Sequence, residues 1–324
     1  MTRPRIWIPE APHLALRRYN EIAITTSCVR VEGWFDLEML HAATGLVAFK
    51  SRFRNTIVDN AMNAFATTSP ATMMQYVAVG TSGTAPATNQ AALLAHVDRT
   101  NATGGFADGG GWATDNQTYS YYRITRVFTT AQAIGNLAEV GVFDTSNVST
   151  STMLCRQQIK DGAGNPTVLA KTSEYELRVT YELRYYPVLA DTTYSATING
   201  ASQTITTRPR FLGSPFGDWS ITNRPFISAG ATDFQLSAGG LVGVQAGPSS
   251  PVNASTLVLQ SYTTGNFYRE VQVEWNGSVA NTTTYLSIHA GRSGCPYQHL
   301  LTTGVSKTNV QKYVLLMRGI WTRL

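Results

Sequence analysis

From Glu174 to Pro187 apolar and polar residues alternate. Tyr175, Leu177, Val179, Tyr181, Leu183 and Tyr185 occupy one set of positions, and Glu174, Glu176, Arg178, Glu182 and Arg184 fall between them. A period of two is that of a β-strand, whose successive side chains point to opposite faces. The segment is predicted to bury one face and to carry opposite charges on the other, where they pair across strands. Pro187 lacks the N–H that would continue the ladder and ends it. The segments YRITRVF, LAEVGVFD and MLCRQQI supply neighbouring strands joined by Asn, Ser, Thr and Gly turns. Residues 20–48 read as strands around a turn at Thr44-Gly45, and the whole suggests antiparallel sandwiches.

Two segments break this pattern. Phe53, Ile57, Ala61 and Phe65 recur at four-residue steps, flanked by Val58 and Met62, which predicts an amphipathic helix over about 50–65. A second, short helix is expected from Thr88 or Asn89 through Ala91, Leu93, Leu94 and Val97, after the turn-rich run from Gly80 to Pro86.

The chain also resembles itself. Residues 79–94 overlay residues 244–259 without a gap, so that Pro86 meets Pro251. Tyr122-Arg123 then answers Tyr268-Arg269, Cys155 answers Cys295, and the closing strand around Tyr175 answers the one around Tyr313. The predicted fold is therefore mainly β, with two β-sandwich-like antiparallel domains at 21–188 and 189–324, the second a candidate diverged duplicate and only the first carrying helices. Residues 1–20 form a separate extended arm. Pro4, Pro9 and Pro12 forbid a regular helix there, yet Ile6, Trp7, Ile8, Leu14 and Leu16 are too apolar for a free tail. With Arg5 they are candidate docking residues, either on this chain's own core or on a neighbouring subunit.

Composition narrows the class. Of 324 residues 43% are hydrophobic and 14% charged, against roughly 25% charged in an average soluble protein. Disorder and long coiled coils both fit badly. The net charge of +5 is scattered; no window of eight residues holds five Lys or Arg, so the concentrated stripe that binds nucleic acid is missing. Three cysteines without a CxxC spacing and five scattered histidines give no disulfide framework and no metal site. No apolar run reaches a membrane-spanning length, and prolines interrupt the amino terminus before a leader could form, so neither membrane insertion nor secretion is expected.

Catalytic chemistry has little support. Glu139 and Asp144 could be paired carboxylates of glycoside hydrolysis, but they read better as strand-end and turn residues. No G-x-S-x-G elbow occurs, and Gly104-Gly105 and Gly109-Gly110-Gly111 read as a loop tip rather than a phosphate loop. No catalytic, cofactor-binding or metal-binding residue is assigned. Trp112, Tyr119, Tyr121 and Tyr122 cluster in sequence; buried they are sandwich core, and exposed, Trp112 and Tyr119 would stack on sugars.

These segments occur in a telling order: Thr44-Gly45, then the run from Phe53 to Asn60, then Val79-Gly80-Thr81 with Pro86, then Glu139-Val140-Gly141-Val142-Phe143, then Arg156, then Tyr181-Glu182-Leu183-Arg184. The set, which covers about residues 40–187, resembles bacteriophage tail structural proteins of the tail-fibre or tail-collar type. The resemblance implies a non-enzymatic virion component, assembled in the host cytoplasm as a symmetric homo-oligomer on the tail. Its partners would be other tail proteins such as a connector or adaptor, nozzle or hub. Recognition of a host surface glycan through Trp112 and Tyr119 is the alternative role.

Overall fold

The computed structural model describes residues 23–198, 201–209, 231, 234–243, 248–281, 284–290 and 297–324. The arm, with Arg5, Ile6, Trp7, Ile8, Leu14 and Leu16, lies outside the described residues. The first half opens with β1 (Ala23–His41), β2 (Val47–Arg54), β3 (Thr56–Ile57), α1 (Asp59–Ala64), α2 (Pro70–Met73), β4 (Tyr76–Gly80) and β5 (His96–Thr100). It continues with β6 (Gly109–Thr114), β7 (Thr118–Phe128), β8 (Gly135–Leu137), β9 (Glu139–Phe143), β10 (Met153–Gln158), β11 (Leu169–Lys171) and β12 (Tyr175–Pro187). The second half holds β13 (Thr192–Ile198), β14 (Ala201–Pro209), β15 (Phe234–Ser237), β16 (Val252–Asn253) and β17 (Thr256–Leu259). It ends with β18 (Tyr268–Trp275), β19 (Thr284–Ala290), β20 (Tyr297–Ser306) and β21 (Tyr313–Arg323). Among the described residues the protein is mainly β, built from several antiparallel sheets with two short helices.

The alternating segment is β12, with Leu177, Val179, Tyr181, Leu183 and Tyr185 all buried. Its opposite face carries the expected cross-strand charges: Glu182 meets Arg52, Arg123 and Arg184, and Glu38 meets Lys50 and Arg178.

The long helix predicted over 50–65 is not formed. Residues 47–54 are strand β2 and only Asp59–Ala64 is helical. A step of four residues satisfies the strand period of two as well as the helical period. The deciding alternation is local: Ser51 and Phe53 are buried while Lys50, Arg52 and Arg54 face outward beside the acids of β1. The second predicted helix is also absent, and the short α2 lies elsewhere, capped by Ser69 with Pro70 in its first turn. The N–H groups of Leu94 and Ala95 donate to the Glu139 carboxylate instead of to a helix. Gly109, Gly110 and Gly111 are strand β6 rather than a loop tip.

The two halves follow one path. In the first, β6, β7 and β12 lie side by side in a large sheet, and a second sheet has the order β3-β10-β9-β4-β5. In the second half, β17, β18 and β21 lie side by side in the same large sheet, and the order β14-β20-β19-β15-β16 recurs, with β13 added at one edge. Register differs from the gapless overlay: Gly80, which pairs with Glu139, corresponds to Ser237, which pairs with Ser287. The closing strands beginning at Tyr175 and Tyr313 do correspond.

Strand β1 joins the halves. One edge pairs antiparallel with β12 from Val29 to His41; the other pairs parallel with β21 from Ala23 to Val31 and then antiparallel with β2 from Trp34 to Leu40. The eight-stranded sheet thus crosses residue 188, whereas the buried side chains form two clusters. One is drawn from residues 29–185 with Tyr297 and Trp321, the other from residues 205–317. Helix α1 and the turn after it clamp the seam. Trp321 Nε1 donates to the Met62 carbonyl at 2.7 Å, and the Asn63 side-chain oxygen accepts from the Tyr262 hydroxyl and the Gly265 N–H, each at 2.7 Å. Arg323 donates to the Ile57 carbonyl at 2.7 Å and pairs with Asp59.

The second half holds several titratable groups out of water, His299 among them. His299 is fully buried and shares a 2.8 Å hydrogen bond through Nδ1 with the Thr207 hydroxyl. Burial lowers its pKa from 6.5 to about 3. Between those values the unfolded chain binds a proton that the folded chain does not, so this stabilisation is complete above pH 6.5 and is lost as pH falls towards 3. Urea midpoints measured from neutral to acidic pH are expected to fall more steeply for the wild type than for His299→Gln. The difference in slope is at most about 1.4 kcal/mol per pH unit, and equal slopes would refute the assignment.

Candidate functional site

Gly80, Glu139 and Arg156, on three neighbouring strands, converge on one loop. Residues 81–95 leave β4 and return at β5, contain no Asp, Glu, Lys or Arg, and expose most of their length, including Leu94 at 52%. A loop of this length without helix or strand needs another source of order. It comes from beneath, where Glu139 on β9 and Arg156 on β10 form an ion pair in which both side chains are wholly buried, Nε to Oε2 being 2.6 Å.

Each remaining polar atom of the pair holds the loop. Arg156 donates through Nη2 to the Thr84 carbonyl at 2.9 Å and through Nη1 to Gln90 Oε1 at 3.1 Å. Glu139 accepts from Ala95 N at 2.7 Å and Leu94 N at 3.2 Å. Gln90 Oε1 in turn accepts from Ala87 N, Gln158 donates to the Gly83 carbonyl, and the Thr88 carbonyl accepts from Asp59 N at the start of α1. Leu93 is buried as the apolar anchor. Gly80 is required by close approach, since a Cβ there would collide with the Ala95 carbonyl and the Glu139 carboxylate. A buried ion pair is tolerable only when such hydrogen bonds complete it.

The second half has the same device in neutral form. By ladder register Ser287 stands where Glu139 does and Gln298 where Arg156 does. Gln298 accepts from Val242 N and donates to Val242 O, each at 2.8 Å, and Ser287 donates to the Gly239 carbonyl at 2.7 Å. A polar pair under the corresponding strands again grips the backbone of the loop between them.

The other sequence candidates are dispersed. Glu139 is committed to Arg156, while Asp144, just past β9, accepts from Thr152 N at 2.7 Å. Trp112 and Tyr119 do not form a joint platform: Trp112 pairs with Ser120 and Tyr119 with Ala113, which puts the two rings on opposite faces of the sheet. Trp112 packs against the first core, and Tyr119 is buried beside Tyr186 with the Arg184 guanidinium 4.0 Å from its ring centre. Burial pushes the Cys155 thiol up to about 12, away from thiolate chemistry. Among the described residues no group of three or more His, Cys, Asp or Glu is placed to hold a metal ion, and no helix is long and apolar enough to cross a membrane.

The part of Arg156 and of the loop residues Thr84 and Gln90 was not read from the sequence. A signal was available: Arg156 is the single charge in the strand segment from Met153 to Ile159, directly after Met153, Leu154 and Cys155, and Glu139 is the single charge in the apolar run from Leu137 to Phe143. A lone charge in a buried strand implies a partner. Comparison with protein-family models, with curated proteins and with solved structures gives no match to this chain.

Replacing Glu139 by Gln leaves the Arg156 guanidinium buried without its counter-charge. Denaturant unfolding is expected to show a loss of about 3–5 kcal/mol, and hydrogen exchange to show residues 81–95 opening first. A loss below about 1 kcal/mol, the scale of a surface pair, would contradict this account of the pair.

Proposed function

We propose that the protein is a non-catalytic structural subunit of a phage virion tail, a fibre or fibre-attachment and collar component, that joins neighbouring tail proteins by shape-complementary contacts. The observation that carries this reading is the pinned loop. The buried charges of Glu139 and Arg156 lie under an exposed, ordered and uncharged segment, which is the use expected of a docking surface formed before its partner arrives. A preformed loop avoids the entropy of ordering on association. An uncharged surface is insensitive to salt outside the cell. Residues 1–20, read from their prolines and apolar side chains as an arm that lies along a sheet edge of an adjacent subunit, are the second anchor in this reading.

Deletion of residues 2–18 is expected to leave a folded protein that no longer joins tails, as measured by incorporation into particles. Leu94→Asp, which puts a charge on the exposed loop, is expected to reduce incorporation at least tenfold with an unchanged melting temperature. Normal incorporation of both variants would overturn the reading.

A further inference from the structure

Among the described residues the large sheet ends in β6 at one side and β17 at the other, each with its outer edge unpaired. We infer that β6 of one copy of this chain pairs with β17 of the next, so that copies join head to tail through one continuous sheet. This names the self-contact within the assembly reading above and rests on it.

Strand direction supplies the first argument. β6, β7, β12 and β1 alternate in direction, β1 and β21 are parallel, and β21, β18 and β17 alternate again. β6 and β17 therefore run in opposite directions. A second copy set beside the first in the same orientation brings its β17 against β6 as an antiparallel neighbour, and the ladder continues without a break.

Side chains supply the second. Trp112 on β6 and Leu257 and Leu259 on β17 are half-buried, each packed against the core of its own half. Both cores lie under the same face of the sheet, because Met317 of the second core and Trp321 of the first alternate on one side of β21. Pairing thus sets Trp112 beside the two leucines.

Charge selects β17 over a second β6. Neither edge strand contains a charged residue or a proline, the usual devices that keep an edge from pairing. Asp108 and Asp115, paired within the chain to Arg126 and Arg184, flank β6, and two β6 strands in full antiparallel register would still set the aspartates of one copy opposite those of the other, which a β17 neighbour avoids. From 248 to 268, around β17, there is no Asp or Glu. A contact that uses two different edges repeats indefinitely and makes a ring where the rotation closes and a filament where it does not.

Lysines placed on one edge at a time test this by light scattering. Gly109→Lys with Thr114→Lys blocks β6 at exposed positions, and Thr256→Lys with Val258→Lys blocks β17 at exposed positions on the outer face. The wild type is expected to grow with concentration, and each variant to need at least tenfold more protein to associate. An equal mixture of the two variants retains one intact pair of edges and is expected to stop at a dimer. Hydrogen exchange on the wild type supplies a check that needs no substitution: β6 and β17 amides are expected to gain protection as concentration rises. A wild type that associates while lysines, mixture and exchange show no such effect overturns this contact and leaves the assembly reading standing. A wild type that stays monomeric also overturns the contact, and incorporation into particles then judges the assembly reading separately.

Discussion

A β-strand has two hydrogen-bonding edges, and β1 gives one to each half of the molecule. Its 19 residues are long enough for one edge to be filled by β12 while the other is divided between β21 and β2. Neither half can close its part of the large sheet without it. Gly33 sits on this strand where a Cβ would collide with Asn55 and the Tyr181 hydroxyl, so even the absence of a side chain at that position serves the packing. The clamp at α1 follows from the same arrangement: once β21 lies along β1, Trp321 and Arg323 reach the carbonyls of Met62 and Ile57.

Around that strand the same sandwich path is laid twice, with the loop between corresponding strands gripped from below by buried polar groups. In one half the grip is ionic and in the other neutral. Ionic and neutral pairs meet the same demand, that the backbone groups of a loop lying on a buried strand find partners. They differ in consequence, because removing one ion strands its counter-charge whereas removing a serine leaves only an unpaired carbonyl. This freedom in chemistry under a fixed topology is why the likeness of the halves is weak in residues and plain in strand order.

The functional reading joins two kinds of feature: a loop held by buried charges, and sheet edges that are uncharged and, among the described residues, unpaired. Both concern surfaces rather than reacting groups. The charged residues of the outer face are largely engaged with one another. Glu182 collects three arginines, and Arg52, Arg54 and Arg184 stand over the ring of Trp34.

By itself the sequence determined what is periodic and local. The alternation through β12, the turn-rich spacing and the low charge were enough for a mainly β protein with antiparallel strands, because a strand's two faces are written residue by residue. It misassigned the segment around Phe53, since a four-residue step fits helix and strand alike until partners on β1 decide between them. Tertiary structure alone decided that β1 serves both halves, that Glu139 and Arg156 meet, and that Trp112 and Tyr119 face apart. Each of those facts depends on which distant strand lies alongside and in what register, and a shift of one residue would exchange every buried side chain for an exposed one.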